Sequence, residues 1–129
     1  MKLLLDTHVL LWSALEPDRI APDVRSLIED GENAVYVSVV SAWEIAIKQS
    51  LGKLTLRAPA ERWLPEVIRR TGLETLSLGL DAALGVRALP YHHRDPFDRL
   101  LIAHASSEGL SIVTHDDAFV PYGVSLVRT

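Results

Sequence analysis

The chain has 129 residues, with 13 Lys and Arg against 17 Asp and Glu, no cysteine and 48% hydrophobic residues. This length corresponds to one domain over residues 1–129, and the composition excludes a disordered chain, a disulfide framework, a thiolate metal site and a cysteine nucleophile. The net charge of −4 argues against a simple cationic nucleic-acid binder.

The charge is unevenly distributed along the chain. Residues 48–100 carry nine bases and six acids, whereas residues 1–47 carry three bases and eight acids, and residues 101–129 one base and three acids. A basic middle between acidic ends allows a polyanion to lie beside carboxylates, although a solvated mixed surface explains the same pattern. The lack of cysteine and of a long apolar stretch favours a cytoplasmic protein without a membrane segment.

Strand and helix patterns alternate along the sequence. In chain order, the predicted elements are a strand over residues 3–5, helices over 9–15 and 22–30, a strand over 34–40, helices over 41–51 and 61–70, a strand over 73–78, helices over 80–89 and 96–108, a strand over 111–114 and an edge strand over 124–127. Short apolar or alternating runs indicate the strands, and apolar residues three or four apart indicate the helices. Pro65 either kinks its helix or begins it.

This alternation predicts a three-layer α/β/α sandwich around a central, mainly parallel sheet with right-handed crossovers. No repeat, low-complexity tract or linker interrupts the pattern, which is why we expect one compact unit. Ligands of such open sheets bind outside the carboxyl ends of the strands. Acidic residues at those ends are therefore the first candidates for a functional site.

Four carboxylates are predicted to reach that edge. Asp6 ends the first strand, Asp116 follows the 111–114 strand, and Glu44 lies in the first turn of the helix after the second strand. Asp98 lies in the first turn of the 96–108 helix, and it joins the others if the preceding loop returns the helix start to the edge. The prediction is a convergence of acids that are far apart in sequence.

Clustered carboxylates require compensation. Two unit charges about 5 Å apart repel by roughly 3 kcal/mol at an effective dielectric constant near 20. They are tolerated when protons are taken up or when a cation lies between them. Oxygen ligands without sulfur suit Mg²⁺ or Mn²⁺, ions that activate water and neutralise the charge developing on a phosphodiester under attack.

Each acid also has a structural alternative. These alternatives are N-capping for Asp6 and Asp116, a capping box for Ser41 and Glu44, and a helix-dipole contact or an ion pair with Arg94 or Arg99 for Asp98. Among the neighbouring residues, Asp95 is predicted to cap the 96–108 helix and Asp117 to face solvent. Thr7 and Thr114 either orient carboxylates or form plain turns.

The five histidines lack the spacing of a zinc site. His92, His93 and Arg94 are predicted to form an exposed loop, with phosphate contact as the alternative, and His104 to pack at the boundary of its helix. The roles of His8 and His115, which flank candidate acids, stay open. No glycine-rich phosphate loop or G-x-S-x-G motif is present.

Five ordered segments carry a family resemblance over nearly the whole chain. They are LLDTH at 4–8, SAWEI at 41–45, LGKL at 51–54, HRDPFDRLLIA at 93–103 and IVTHD at 112–116, and Phe119, Tyr122, Gly123 and Val124 extend the match. Each segment alone is weak, but the ordered set is specific. The chain resembles the PIN-domain family and, more narrowly, the VapC-type toxins of toxin–antitoxin pairs.

The resemblance implies a PIN sandwich with Mg²⁺- or Mn²⁺-dependent endoribonuclease activity on an RNA substrate. It implies that Asp6, Glu44, Asp98 and Asp116 form a catalytic, metal-binding quartet, with Asp6 most central. Because Asp117 follows Asp116, the resemblance leaves open which of the two ligates. It further implies a homodimer that a cognate antitoxin silences by occupying a groove leading to the site.

The resulting hypothesis is that Asp6, Asp98 and Asp116 bind one or two metal ions, while Glu44 ligates a second ion or orients water. The residues expected to position the RNA backbone are Lys48, Lys53, Arg94 and Arg99. The alternative is a noncatalytic PIN-like module that binds RNA or protein, and DNA is a further candidate substrate. Trp12 and the apolar faces near residues 9–15 and 43–51 form either an antitoxin groove or core packing.

Overall fold

The computed structural model describes residues 1–129, and five parallel strands form its centre in the order β3-β2-β1-β4-β5. The strands are β1 Lys2–Leu5, β2 Ala34–Ser38, β3 Glu74–Leu76, β4 Ser111–Thr114 and β5 Leu126–Arg128. The α-helices are α1 Thr7–Leu15, α2 Pro22–Glu29, α3 Val39–Ser50, α4 Ala60–Thr71, α5 Leu80–Gly85 and α6 Pro96–Glu108. Three short 3₁₀ helices cover Pro17–Arg19, Val86–Ala88 and Asp117–Tyr122.

Two apolar clusters, one on each face of the sheet, confirm the predicted three-layer α/β/α sandwich. Because strand side chains alternate in direction, Leu3 and Leu5 point to one face and Leu4 to the other. The first cluster joins Leu3 and Leu5 to helices α1 to α4, and the second joins Leu4 to α6 and the last 3₁₀ helix. Both faces of β1 are buried, as its continuous apolar run predicts.

The sheet places β1 at its centre, between β2 and β4. Leu4 lies opposite Tyr36 of β2 and Ile112 of β4. The Asp6 N–H continues the pairing with β4 by donating to the Val113 carbonyl at 3.0 Å. Asp6 therefore lies at the carboxyl ends of the two neighbouring strands β1 and β4, which is where ligands of open parallel sheets bind.

The boundary between β2 and α3 differs from the prediction. The strand ends at Ser38 rather than at residue 40, and the helix begins at Val39 rather than at residue 41. Ser38 is the N-cap, because its Oγ accepts the Val40 N–H at 3.0 Å. The capping-box alternative for Ser41 and Glu44 is not realised, since Ser41 already lies inside the helix.

Other element boundaries also shift. The predicted 80–89 helix is divided into α5 and a 3₁₀ segment at Gly85, a residue that weakens helices. The strand predicted over residues 73–78 covers only Glu74–Leu76. The last strand starts at Leu126 rather than at residue 124, because the 3₁₀ helix extends to Tyr122 and Gly123 then turns the chain with φ 67°.

Helix α4 continues through Pro65, although proline removes one backbone hydrogen bond from a helix. Trp63 and Leu64 before the proline and Val67 after it are buried in the first apolar cluster. These contacts anchor the helix on both sides of Pro65, so the helix neither begins nor ends there.

Helix α6 follows its prediction closely. Asp95 caps its start by accepting the Phe97 N–H at 2.8 Å, and Gly109 ends it with φ 68°. The first turn of α6 therefore has a defined position, and it carries Asp98. None of the helices combines the length and the apolar composition that crossing a bilayer demands.

Candidate active site

Asp6 is held rigidly at the end of β1. Its side chain is 3% exposed, Oδ1 accepts the Val9 N–H at 2.7 Å, and Oδ2 accepts the Thr114 hydroxyl at 2.5 Å. The first bond makes Asp6 the N-cap of α1, so its structural alternative is realised. Each carboxylate oxygen retains a second lone pair, so capping does not prevent metal ligation.

Glu44 is buried in α3, with 2% exposure, and both of its carboxylate oxygens have partners. Thr7 Oγ1 donates to Oε1 at 2.7 Å and lies 2.9 Å from Ser41 Oγ. Lys48, one helical turn along, donates to Oε2 at 2.5 Å. Thr7 and Thr114 thus both orient a carboxylate, which is one of the two roles the sequence left open.

Asp98 lies in the first turn of α6 and accepts a hydrogen bond from His93. The Nε2–Oδ2 distance is 2.8 Å, and both side chains are less than one-fifth exposed. The same His93 Nε2 lies 3.5 Å from Asp116 Oδ2. The ligand atoms of His93, Asp98 and Asp116 all fall within 4.8 Å of one another, a spacing that a single metal ion can bridge.

Asp116 and Asp117 have different surroundings. Asp116 caps the last 3₁₀ helix through the Ala118 N–H at 2.9 Å and turns its other oxygen towards His93. Asp117 is almost fully exposed and pairs with Arg128. Of these neighbouring acids, Asp116 is the one that joins the cluster, and Asp117 faces solvent as predicted.

The cluster opens towards solvent through a pocket of about 430 Å³. The residues that line this pocket are Asp6, His8, Trp12, His115, Asp116 and Asp117. A ligand in this pocket would therefore lie beside Asp6 and Asp116. Glu44 and Asp98 lie outside this lining, and Asp6 and Glu44 lie outside the group formed by His93, Asp98 and Asp116.

The electrostatics of the cluster reflect burial and crowding of like charges. Burial, together with the charges of Asp95 and Glu44, raises the pKa of Asp98 to about 7, although His93 opposes the rise. Burial also raises the pKa of Asp6, with a smaller contribution from Asp116, against the lowering effect of Thr114. Without a cation, these carboxyls hold protons at pH values where isolated ones are ionised.

The residues present fit a hard divalent cation. Asp6, Glu44, Asp98 and Asp116 supply oxygen donors without sulfur, and Lys48 is the one fully charged base paired with any of them. A divalent ion among such oxygens would replace the protons that the raised pKa values retain. The arrangement can therefore hold Mg²⁺ or Mn²⁺ on the basis of its donor chemistry.

Arg99 does not have the surface role that the sequence suggested. It is 3% exposed and donates to the carbonyls of Val86, Leu89 and Pro90 and to the Tyr122 hydroxyl, at 2.8 to 3.2 Å. Its guanidinium also lies 4.0 Å from the centre of the Tyr91 ring. Arg99 therefore stabilises the loop before α6, and the prediction that it contacts RNA is wrong.

Two histidines also depart from the sequence predictions. His104 is fully buried rather than at a helix boundary, and its ring contacts Ser38 Oγ at 2.8 Å and the Ser77 carbonyl at 3.2 Å. His93 belongs to the acidic cluster rather than to an exposed loop. The sequence signal for this position is the closeness of His93 to Asp98, five residues along the chain, rather than any zinc-type spacing of histidines.

The family comparison agrees with this geometry. A family model of the PIN domain matches residues 3–123, and the chain belongs to the PIN-domain family. Ribonuclease VapC22 of Mycobacterium tuberculosis (strain ATCC 25618 / H37Rv) is 31% identical over 114 residues, which cover 88% of this chain and 85% of that protein. The resemblance to VapC-type proteins is thereby confirmed.

A second relative matches a shorter region. Ribonuclease VapC16 of the same organism is 39% identical over 56 residues, which span 43% of this chain and 40% of that protein. Solved structures show the same fold at lower identity. VapBC2 from Rickettsia felis bound to a promoter DNA fragment has a TM-score of 0.74 and 18% identity over 99% of this chain and 98% of that one. VapBC from Salmonella typhimurium bound to DNA has a TM-score of 0.71 and 21% identity over the same shares.

Proposed function

We propose that the chain is a divalent-metal-dependent endoribonuclease that hydrolyses RNA phosphodiester bonds. The observation that carries this proposal is the set of buried and half-buried carboxylates of Asp6, Glu44, Asp98 and Asp116 around one edge of the sheet. Membership of the PIN-domain family and similarity to the ribonucleases VapC16 and VapC22 support the same activity.

In this proposal Asp6, Asp98 and Asp116 hold the ion, and Glu44 ligates a second ion or orients the attacking water. Bound Mg²⁺ or Mn²⁺ supplies Lewis-acid activation of water and neutralises the charge that develops on the phosphodiester. Thr114 fixes the Asp6 carboxylate, while Thr7 and Lys48 fix that of Glu44. These hydrogen bonds hold the carboxylates in place before substrate arrives, so that little reorganisation is required.

Basic residues outside the cluster would position the RNA backbone. Lys53 and Arg94 are exposed and form no ion pair, so their charges are free to contact phosphates. Lys48 is partly exposed, but its ammonium group is paired with Glu44. We therefore assign backbone positioning chiefly to Lys53 and Arg94, with Lys48 in the support of Glu44.

The relatives, rather than the geometry of the site, suggest which protein partners this chain binds. Several proteins of the same fold were solved as VapBC assemblies, and we propose that this chain is likewise a toxin that forms a homodimer and is neutralised by a cognate antitoxin. A groove of about 640 Å³ between α3 and α4 offers an apolar surface for an antitoxin segment. Its apolar lining is formed by Ala42, Ala46, Leu64, Pro65 and Ile68, together with Ala60.

The experiment that tests the activity is incubation of the purified chain with end-labelled RNA in Mn²⁺ and, separately, in excess EDTA. We expect discrete RNA fragments in Mn²⁺ and intact RNA in EDTA. A shifted band without fragments in either condition would favour a noncatalytic binding module instead. A matched labelled DNA strand in the same buffer decides between the two nucleic acids, and preferential cutting of DNA would contradict the assignment as a ribonuclease.

A further inference from the structure

We propose that His93 is a positioning residue of the acidic cluster, whose Nε2–H orients the carboxylates of Asp98 and Asp116 towards a shared cation. This inference rests on the proposed metal-dependent function and extends it to a residue outside the acidic quartet. It depends on the hydrogen bonds of the imidazole ring and on the contacts that hold His93 in place.

The hydrogen bonds of the ring define its tautomer. The Asp95 N–H donates to His93 Nδ1 at 3.3 Å, so Nδ1 is an acceptor and carries no proton. A neutral imidazole then carries its proton on Nε2, which lies 2.8 Å from Asp98 Oδ2 and 3.5 Å from Asp116 Oδ2. Since Nε2 acts as a donor towards the acids, it has no lone pair for a metal, and the ring orients ligands rather than serving as one.

A second set of contacts fixes His93 itself. The Tyr122 hydroxyl accepts the His93 backbone N–H at 2.9 Å and an Arg99 N–H at 3.1 Å. The ring packs edge-on against Phe119, with centroids 6.3 Å apart and an interplanar angle of 83°. Arg99, which holds three carbonyls of the same loop, thereby connects the loop to the acidic cluster through Tyr122.

The two acids need such a bridge because they come from different elements. Asp98 lies in the first turn of α6, whereas Asp116 follows β4, and like charges favour their separation. The imidazole N–H that donates to Asp98 also lies 3.5 Å from Asp116, so it offsets that repulsion and orients the Asp98 carboxylate beside Asp116. Groups that orient metal ligands in this way typically contribute about 10- to 100-fold to metal affinity.

The test measures Mn²⁺ binding by isothermal titration calorimetry on the full chain and on three variants. His93→Phe keeps the ring packing on Phe119 but removes the donor, and we expect about 10- to 100-fold weaker Mn²⁺ binding. His93→Gln places an amide N–H near Nε2, and we expect it to recover most of the affinity. His92→Phe is the matched control, because it makes the same change at the adjacent exposed residue, and we expect wild-type affinity.

Nitrogen hyperfine coupling to bound Mn²⁺ separates positioning from ligation. We expect no coupling from a ring nitrogen in the wild-type protein, and a coupling that disappears in His93→Gln would overturn the positioning role. Unchanged Mn²⁺ affinity in His93→Phe would overturn it equally. If His93→Phe does not fold, Tyr122→Phe removes a single hydroxyl from the support of His93, and unchanged affinity in that variant counts against the inference.

The outcome for the wild-type protein distinguishes this inference from the function on which it rests. A wild-type chain that neither binds Mn²⁺ nor cleaves RNA contradicts the proposed function, and the positioning role falls with it. A wild-type chain that binds Mn²⁺ and cleaves RNA, together with an equally tight His93→Phe variant, contradicts the positioning role alone.

Discussion

Asp6 and Asp98 both neighbour Asp116, yet the protein holds them in different ways. Asp6 is anchored by the central sheet, with hydrogen bonds from Val9 and Thr114. Asp98 lies in the first turn of α6, and its closest polar contact is His93 of the preceding loop. The part of the site around Asp6, which we call the Asp6 half or sheet half, therefore depends on sheet pairing. The part around Asp98 and His93, which we call the Asp98 half or loop half, depends on a loop that Arg99 stabilises.

This difference indicates that the two halves lose their structure independently of each other. Sheet backbone at the centre of a core opens only with global unfolding, while loops open at lower free energy. A change near Arg99 is then expected to loosen the Asp98 half and leave the Asp6 half in place. Conversely, loss of the Asp6 charge removes a ligand without disturbing the loop.

The largest effect is expected at Asp6. Asp6→Asn keeps an oxygen that caps α1 but removes the charge. We expect the variant to lose several kcal/mol of the transition-state stabilisation that the metal ion supplies. A loss of about 4 kcal/mol lowers RNA cleavage by about 1,000-fold. Single-turnover cleavage of labelled RNA measures this loss. Asp23→Asn, a matched change at an exposed residue, is the control, and we expect it to keep wild-type activity. Cleavage by Asp6→Asn at the wild-type rate would show that the sheet half is dispensable.

The next largest effect is expected at Arg99, on stability. Arg99→Lys cannot reproduce four hydrogen bonds from one planar group, and we expect the free energy of unfolding to fall by about 3 kcal/mol. Arg87→Ala, an exposed change nearby, should stay within about 0.5 kcal/mol. Hydrogen exchange should increase in residues 86–95 and not in β1. Equal increases in both segments would contradict the separation of the two halves.

A pH effect of intermediate size is expected in the metal-free protein. The folded pKa of Asp98 is raised to about 7, so its contribution to stability is present below the unfolded pKa and is lost as the pH rises through 7. Between pH 5 and 8 this costs wild-type protein in EDTA roughly 2 kcal/mol. Asp98→Asn should lack that loss in urea unfolding at the two pH values. A parallel decline in both proteins would assign the pH dependence to other groups.

The smallest effect is expected at the start of α3, which carries Glu44. Ser38→Ala removes the N-cap of this helix and a hydrogen-bond partner of buried His104, so we expect a loss of about 1 kcal/mol in unfolding free energy. Ser50→Ala at the exposed end of the same helix is the control, with a change within about 0.5 kcal/mol. Equal losses in the two variants would mean that Ser38 does not act as the cap.

The elements that carry Asp6 and Asp98 were predictable from sequence because their signals are local. An apolar run followed by Asp6 marks the end of a buried strand, and Asp95 before Pro96 marks the start of the helix that carries Asp98. The alternation of strands and helices then defines the layers and the edge at which the acids meet.

The loop half was less predictable because its contacts are not periodic. Buried arginine is rare, so the sequence favours contact of Arg99 with the RNA backbone, whereas its actual carbonyl partners depend on the path of the loop. The position of His93 depends in turn on Tyr122, 29 residues away. At the start of α3, Val39 and Val40 favour a strand by propensity, but the Ser38 cap begins the helix earlier.

The central claim is that the carboxylates of Asp6, Asp98 and Asp116 jointly bind a divalent cation. Anomalous diffraction from crystals soaked in Mn²⁺ tests this claim most directly. We predict a manganese peak between the carboxylates of Asp98 and Asp116, with an Asp6 oxygen among its ligands at about 2.1 Å. A map without a peak among these carboxylates, at a Mn²⁺ concentration that supports cleavage of RNA in solution, would contradict the account.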